Sequence, residues 1–197
     1  MSLWGATDSD ESKPKNLTTA EKKEVFATSK GWVREAGSIQ SGNDNTSATP
    51  EVLVAIGDLQ TALGAADITS IDWITTIADK SAGFTLSATL RFNEAVDVVT
   101  TGGTPTLAVT NGNQGSGTGR GPHALAYASG TGTNELVFSL VIPAANAATN
   151  EDDVLVFGAN PLALNSGTIK DAGTSTNATI TSVAGIGTAA GSITVVA

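Results

Sequence analysis

The stretch Phe84-Thr-Leu-Ser-Ala-Thr-Leu-Arg-Phe92 constrains the fold more than any other in this 197-residue chain. Phe84, Leu86, Ala88, Leu90 and Phe92 fall on one side of an extended backbone, and Thr85, Ser87, Thr89 and Arg91 on the other. This alternation is the pattern of a β-strand with one buried and one wet face. Similar short Thr/Ser/Val-rich runs recur to the end of the chain. They predict strands over 69–76, 84–92, 96–99, 106–110, 124–129, 135–142, 153–157, 162–164, 178–183 and 192–196. Turn signals separate them: Thr101-Gly-Gly-Thr104, Asn111-Gly112, Ser129-Gly130 and Asn165-Ser-Gly167. A spacing of roughly ten residues predicts a mainly β fold, an antiparallel β-sandwich, over 67–197.

The first third reads differently. Residues 1–49 are expected to form an extended arm. Within it, Thr18 followed three residues later by Glu21 has capping-box spacing and predicts a short helix from Thr19 to about Ala27. Lys30 to Gly37 reads as extended, and 37–50 as a polar link. Residues 50–66 are a connecting segment with a strand at Glu51–Ile56. A two-turn helix is too short to hold itself in water, so the arm is expected to gain order from a partner. Leu3, Trp4, Leu17, Phe26, Trp32 and Val33 are its apolar residues with no evident local core, and are the candidate docking residues.

Charge divides along the same line. Residues 1–36 hold six acids and six bases; residues 37–197 hold thirteen acids and four bases, which accounts for the net charge of −9. An acidic outer domain argues against a nucleic-acid partner, and a charge-balanced arm suits packing on another protein. No stretch approaches the ~20 apolar residues of a membrane-spanning helix, so no membrane partner is expected. The N-terminal residues lack the basic start and apolar core of a secretory signal. With no cysteine and one histidine, His123, thiolate metal sites and paired imidazoles are excluded.

Two resemblances bear on function. Phe92-Asn-Glu-Ala-Val96, Gly103-Thr-Pro-Thr-Leu107, the stretch from Ala126 to Phe138, and Leu164-Asn-Ser-Gly-Thr-Ile-Lys-Asp171 resemble, in order and spacing, bacterial Ig-like domains of large surface and adhesin proteins. That resemblance implies an Ig-like β-sandwich serving as spacer, adhesive module or virion ornament, in a family where some members bind calcium. In the arm, Met1-Ser-Leu-Trp-Gly5, Lys13-Pro-Lys15, Leu17-Thr-Thr-Ala-Glu21, Val25-Phe26 and Gly31-Trp32-Val33 resemble the N-terminal segments of virion structural proteins of marine tailed bacteriophages. It implies an arm that docks on a particle and carries the Ig-like head outward.

Residues that could do chemistry are sparse. Gly115 to Gly121 is glycine-rich, but Pro122 and a strand pattern follow where a phosphate loop needs a helix, so it reads as a hairpin tip. Arg120 and His123 could meet a ligand there. Glu151, Asp152 and Asp153, with Asp171, are a candidate calcium turn; a solvated acidic turn is the plainer reading. No nucleophile-elbow motif accompanies the single histidine, so no catalytic residues are assigned and an enzyme is not expected.

The expected function is therefore a non-enzymatic virion protein, made in the host cytoplasm and placed on the particle exterior. Its role would be capsid decoration or cement, its partners the major capsid protein or other virion proteins, with self-association allowed. The alternative is a tail- or fibre-associated adhesion module that binds host surface glycans. No cofactor is expected apart from the calcium candidate.

Overall fold

The computed structural model describes residues 14, 17–28, 31–55, 65–113 and 122–197. The fold is mainly β, and the strands among the described residues form two sheets. Leu3, Trp4, Arg120 and the glycine-rich tip lie outside the described residues.

The smaller sheet comes from the N-terminal third. Helix α1 spans Thr19–Lys23 and starts with the expected capping box. The Thr18 hydroxyl accepts from the Glu21 backbone N–H, and the Glu21 carboxylate accepts from the Thr18 N–H at 2.8 Å. The helix stops four residues before the predicted end because Val25–Thr28 is drawn into strand β1. β1 pairs antiparallel with β2 (Gly31–Arg34), and β2 with β3 (Glu51–Ala55), giving the order β1-β2-β3. What reads in sequence as an extended, partner-ordered arm is thus a folded three-stranded sheet. The connecting strand closes this sheet instead of joining the sandwich.

The larger sheet is built on β6 (Phe84–Val99), sixteen residues long. Leu86, Ala88, Leu90 and Phe92 are all buried, as the alternation requires. One edge of β6 pairs with β9 (Thr133–Ile142), setting Leu86, Ala88 and Leu90 opposite Leu140, Phe138 and Leu136. Its other edge is shared by β4 (Ile68–Trp73) and β11 (Thr168–Asp171), which pair with successive stretches. From β9 the sheet continues through β8 (His123–Ser129), β7 (Thr106–Asn113), β10 (Asp153–Ala163), β12 (Ser192–Val196) and the two-residue β5 (Ala78–Asp79). Neighbours are antiparallel except β12 and β5.

The sheet curls so that its two halves face each other over one core, as in a sandwich. Trp73 of β4 stacks on Phe157 of β10 with ring centroids 4.1 Å apart, joining the halves directly. Phe92, Phe138, Leu107, Leu125, Leu155 and Ile71 fill the space between and are at most 2% exposed. Residues 178–183, predicted as a strand, make only one isolated bridge, Thr179 with Asp67. They lead to a second short helix, α2 (Ile186–Ala190), which covers one end of the core. Gly187 lets α2 lie on β10: a Cβ there would stand 2.1 Å from the Phe157 carbonyl oxygen.

Candidate functional site

Four of the six candidate docking residues of the arm, Leu17, Phe26, Trp32 and Val33, lie among the described residues and belong to the small sheet or its cluster. Trp32 is fully buried against Val25 and Ala27, with Leu17, Leu53 and Val54 closing the cluster. Val33, on the opposite face of β2, is 3% exposed. Trp32 and Val33 are thus core residues in this arrangement rather than anchors presented to a partner. The sequence reading missed this because the core is assembled from residues 17–54, beyond the reach of any one local pattern. Phe26 is half-buried and pairs across from Val33. Leu3 and Trp4, beyond the described residues, complete the set.

The face of β2 bearing Val33 also carries Glu35, whose backbone N–H continues the ladder to the Glu24 carbonyl at 2.8 Å. Glu35 is 8% exposed and meets the sandwich. Its Oε2 accepts from Arg91 Nε at 3.1 Å, and its Oε1 accepts from Asn134 Nδ2 at 2.6 Å. Arg91 Nε also donates to Glu135 Oε1 at 2.7 Å, and its Nη1 donates to Asp72 Oδ2 at 2.5 Å. Two strands of the sandwich therefore meet Glu35, β6 through Arg91 and β9 through Asn134, while Asp72 of β4 and Glu135 of β9 share the Arg91 guanidinium. Arg91 does lie on the face opposite Leu90. That face is covered here by the small sheet, so the expected solvent-exposed arginine is the centre of an ionic joint.

Three carboxylates around one guanidinium leave the joint short of positive charge. Burial, then the hydrogen bond with Glu135, pushes the Glu35 carboxyl up to about 7. Burial acts on Glu135 in the same sense, but the hydrogen bond from Glu35 and the Arg91 charge outweigh it and hold Glu135 below the usual carboxylate range. The pair thus holds one proton more readily than two ordinary carboxylates would.

A second feature lies beside this joint. α1, β4 and residues 183–189 enclose an apolar groove of about 390 Å³, walled by Ile68, Ile71, Val183, Ile186 and Ala189, with Lys22 and Lys23 at its rim. Its size is that of a small-molecule or peptide-side-chain site.

The remaining candidates do not form a site. His123, expected near a ligand-binding tip, is 5% exposed, and its Nε2 lies 2.8 Å from Thr149 Oγ1. Burial holds its imidazole below the ordinary value, partly offset by Asp153. Thr, His and Asp resemble a hydrolytic triad in composition, but Thr149 and Asp153 are fully buried, so no substrate reaches the hydroxyl. They pin the 143–152 loop to β8. The candidate calcium turn is divided: Asp153 points inward and accepts from the Asn150 N–H at 2.8 Å, while Glu151 and Asp152 are exposed. Asp171 is buried elsewhere, accepting from the Ala66 N–H at 2.8 Å. Among the described residues no three His, Cys, Asp or Glu side chains are grouped to hold a metal ion, and no helix is long and apolar enough to cross a membrane.

No protein-family model matches the chain, and no curated protein or solved structure is detectably similar to it.

Proposed function

We propose that the protein is a non-enzymatic structural component of a phage particle, a decoration or cement protein of the capsid exterior. Besides the sequence resemblances, one structural observation carries the reading: the charge is unevenly divided between the parts that form the two sheets. Residues 1–55, which supply the N-terminal sheet and its helix, hold eight acids and six bases, against ten acids and four bases in residues 65–197, and they place Lys22 and Lys23 beside an apolar groove. The sandwich holds the larger acidic excess, which disfavours non-specific adsorption of an outward-facing head. Docking would therefore occur through the N-terminal part, with Leu3, Trp4 and the groove supplying apolar contact in place of the buried Trp32 and Val33. The alternative adhesion reading loses one of its candidate contacts, since His123 faces inward.

The test is gold labelling of particles that carry the tagged protein, viewed by electron microscopy. Many labels distributed over the shell are expected. A few labels confined to the tail would favour the adhesion module, and unlabelled particles would overturn the virion reading.

A further inference from the structure

We propose that the joint between the N-terminal sheet and the sandwich is a proton-controlled latch: protonated Glu35 holds the small sheet on β6 and β9, and ionised Glu35 releases it.

The argument begins with donor supply. Arg91 Nε carries a single N–H, yet both Glu35 Oε2 and Glu135 Oε1 lie within hydrogen-bonding distance of it, at 3.1 and 2.7 Å. One N–H divided between two carboxylates leaves each poorly served, and a proton on Glu35 lets it donate to Glu135 instead of competing with it. The second donor to Glu35, the Asn134 amide, is neutral and serves either state. Next comes the charge inventory. Facing Glu35 are Arg91 from β6, Glu135 from β9 and, across the guanidinium, Asp72 from β4. On its own sheet Arg34 is engaged with Glu21 and Glu51, and Glu24 is buried nearby. With Glu35 neutral the Arg91 cluster sums to −1 (one cation, two carboxylates); with Glu35 ionised it sums to −2, and the added charge sits on a side chain only 9% exposed.

The cost falls on the joint rather than on either sheet. The side-chain hydrogen bonds described across it, from Arg91 and Asn134 and with Glu135, all end on Glu35. Undocking returns the carboxylate to water, while the sandwich keeps its own core. Since Glu35 in the docked state holds its proton up to about 7 against an ordinary value of 4.5, docking is strongest below the ordinary value and is lost as pH rises through about 7. The core of the small sheet, Trp32, Val25 and Ala27, is too small to keep it protected once undocked.

Hydrogen exchange, corrected for intrinsic rates, tests this on the full chain at about pH 5.5 and about pH 8.5. Amides of β1 and β2 should lose protection by at least about tenfold at the higher pH relative to those of β6 and β9. In Glu35→Gln, a neutral mimic of the protonated acid, the two pH values should give the same protection. An unchanged wild-type ratio, or an equal loss in Glu35→Gln, overturns the proposal. If Glu35→Gln does not fold, Glu135→Gln decides the matter. Removal of the neighbouring carboxylate should move the midpoint of release to lower pH, and an unmoved midpoint overturns the latch.

Discussion

Leu90 and Arg91 are adjacent in β6 and face opposite ways, so one charge-introducing substitution at each separates the two faces of the strand. Leu90 is fully buried between the halves of the sandwich. Leu90→Asp removes an apolar side chain, about 2–5 kcal/mol with its cavity, and places an unpaired carboxylate in the core at several kcal/mol more. The sum reaches the whole stability of an ordinary domain, ~5–15 kcal/mol, so the sandwich should not fold. Arg91→Asp acts elsewhere. Its side chain is 20% exposed, and two of its partners, Glu135 and Asp72, are 38% and 44% exposed, so their contacts are largely screened. The pair with Glu35, 9% exposed, carries most of the loss. Breaking a buried pair costs ~3–5 kcal/mol, less here because Glu35 can take up a proton. About 2–4 kcal/mol is then charged to the joint alone. Thermal melting by circular dichroism and element-resolved hydrogen exchange read both effects. Arg91→Asp should keep the sandwich transition and lose β1–β2 protection. Equal losses of melting temperature in the two variants would refute the assigned faces, and retained β1–β2 protection in Arg91→Asp would refute the ionic joint.

Two further substitutions probe the other buried features. Trp32→Ala should cost the small sheet ~3–5 kcal/mol and unfold it while Trp73 and the sandwich remain in place, which element-resolved hydrogen exchange checks, with near-ultraviolet circular dichroism of the two remaining tryptophans beside it. His123, held neutral by burial, makes the opposite pH contribution to Glu35: its stability is present above the ordinary value of 6.5 and is lost as pH falls through the lowered folded-state value. His123→Gln should therefore flatten the acid limb of a denaturant-midpoint profile, and an unchanged limb would show that His123 does not titrate on unfolding.

The elements that were legible in the sequence are those whose signal is local. Period-two alternation located β6 and β9, and the Thr18–Glu21 pair located the start of α1. Ser192–Val196 matches its predicted span. Less legible were features that depend on distant partners. Val96–Val99 and Phe84–Phe92 read as two strands because Asn93 and Glu94 break the apolar alternation. The chain instead runs through as one strand, with a register irregularity against β9, and buries both polar residues. Residues 153–157 and 162–164 likewise fuse into β10, despite Pro161, because the irregularity between Phe157 and Leu162 takes up the break. Thr168–Asp171 carries no strong pattern and becomes β11 only because β6 offers it an edge. At the candidate site, no local rule singles out Glu35. Arg91 did carry a usable signal: it is one of only four bases in residues 37–197, set in the polar face of the most strongly patterned strand. One of four bases among thirteen acids is a natural focus for carboxylates.

The chemistry of the joint also bears on how the two sheets can serve one function. A joint made of packed aliphatic side chains would fix the N-terminal sheet permanently, since hydrophobic burial responds little to pH. This one is centred on Arg91, and the contacts that Arg91 and Asn134 make with Glu35 are opposed by the desolvation of that carboxylate when it ionises. Such a contact can be shifted by a change of one proton. The apolar groove borders the same region and is walled by β4, the strand that supplies Asp72 to the cluster. A partner that enters the groove therefore contacts both α1 of the N-terminal part and β4 of the sandwich. Its affinity would depend on whether the latch is closed, so partner binding and proton uptake at Glu35 would be linked through one equilibrium.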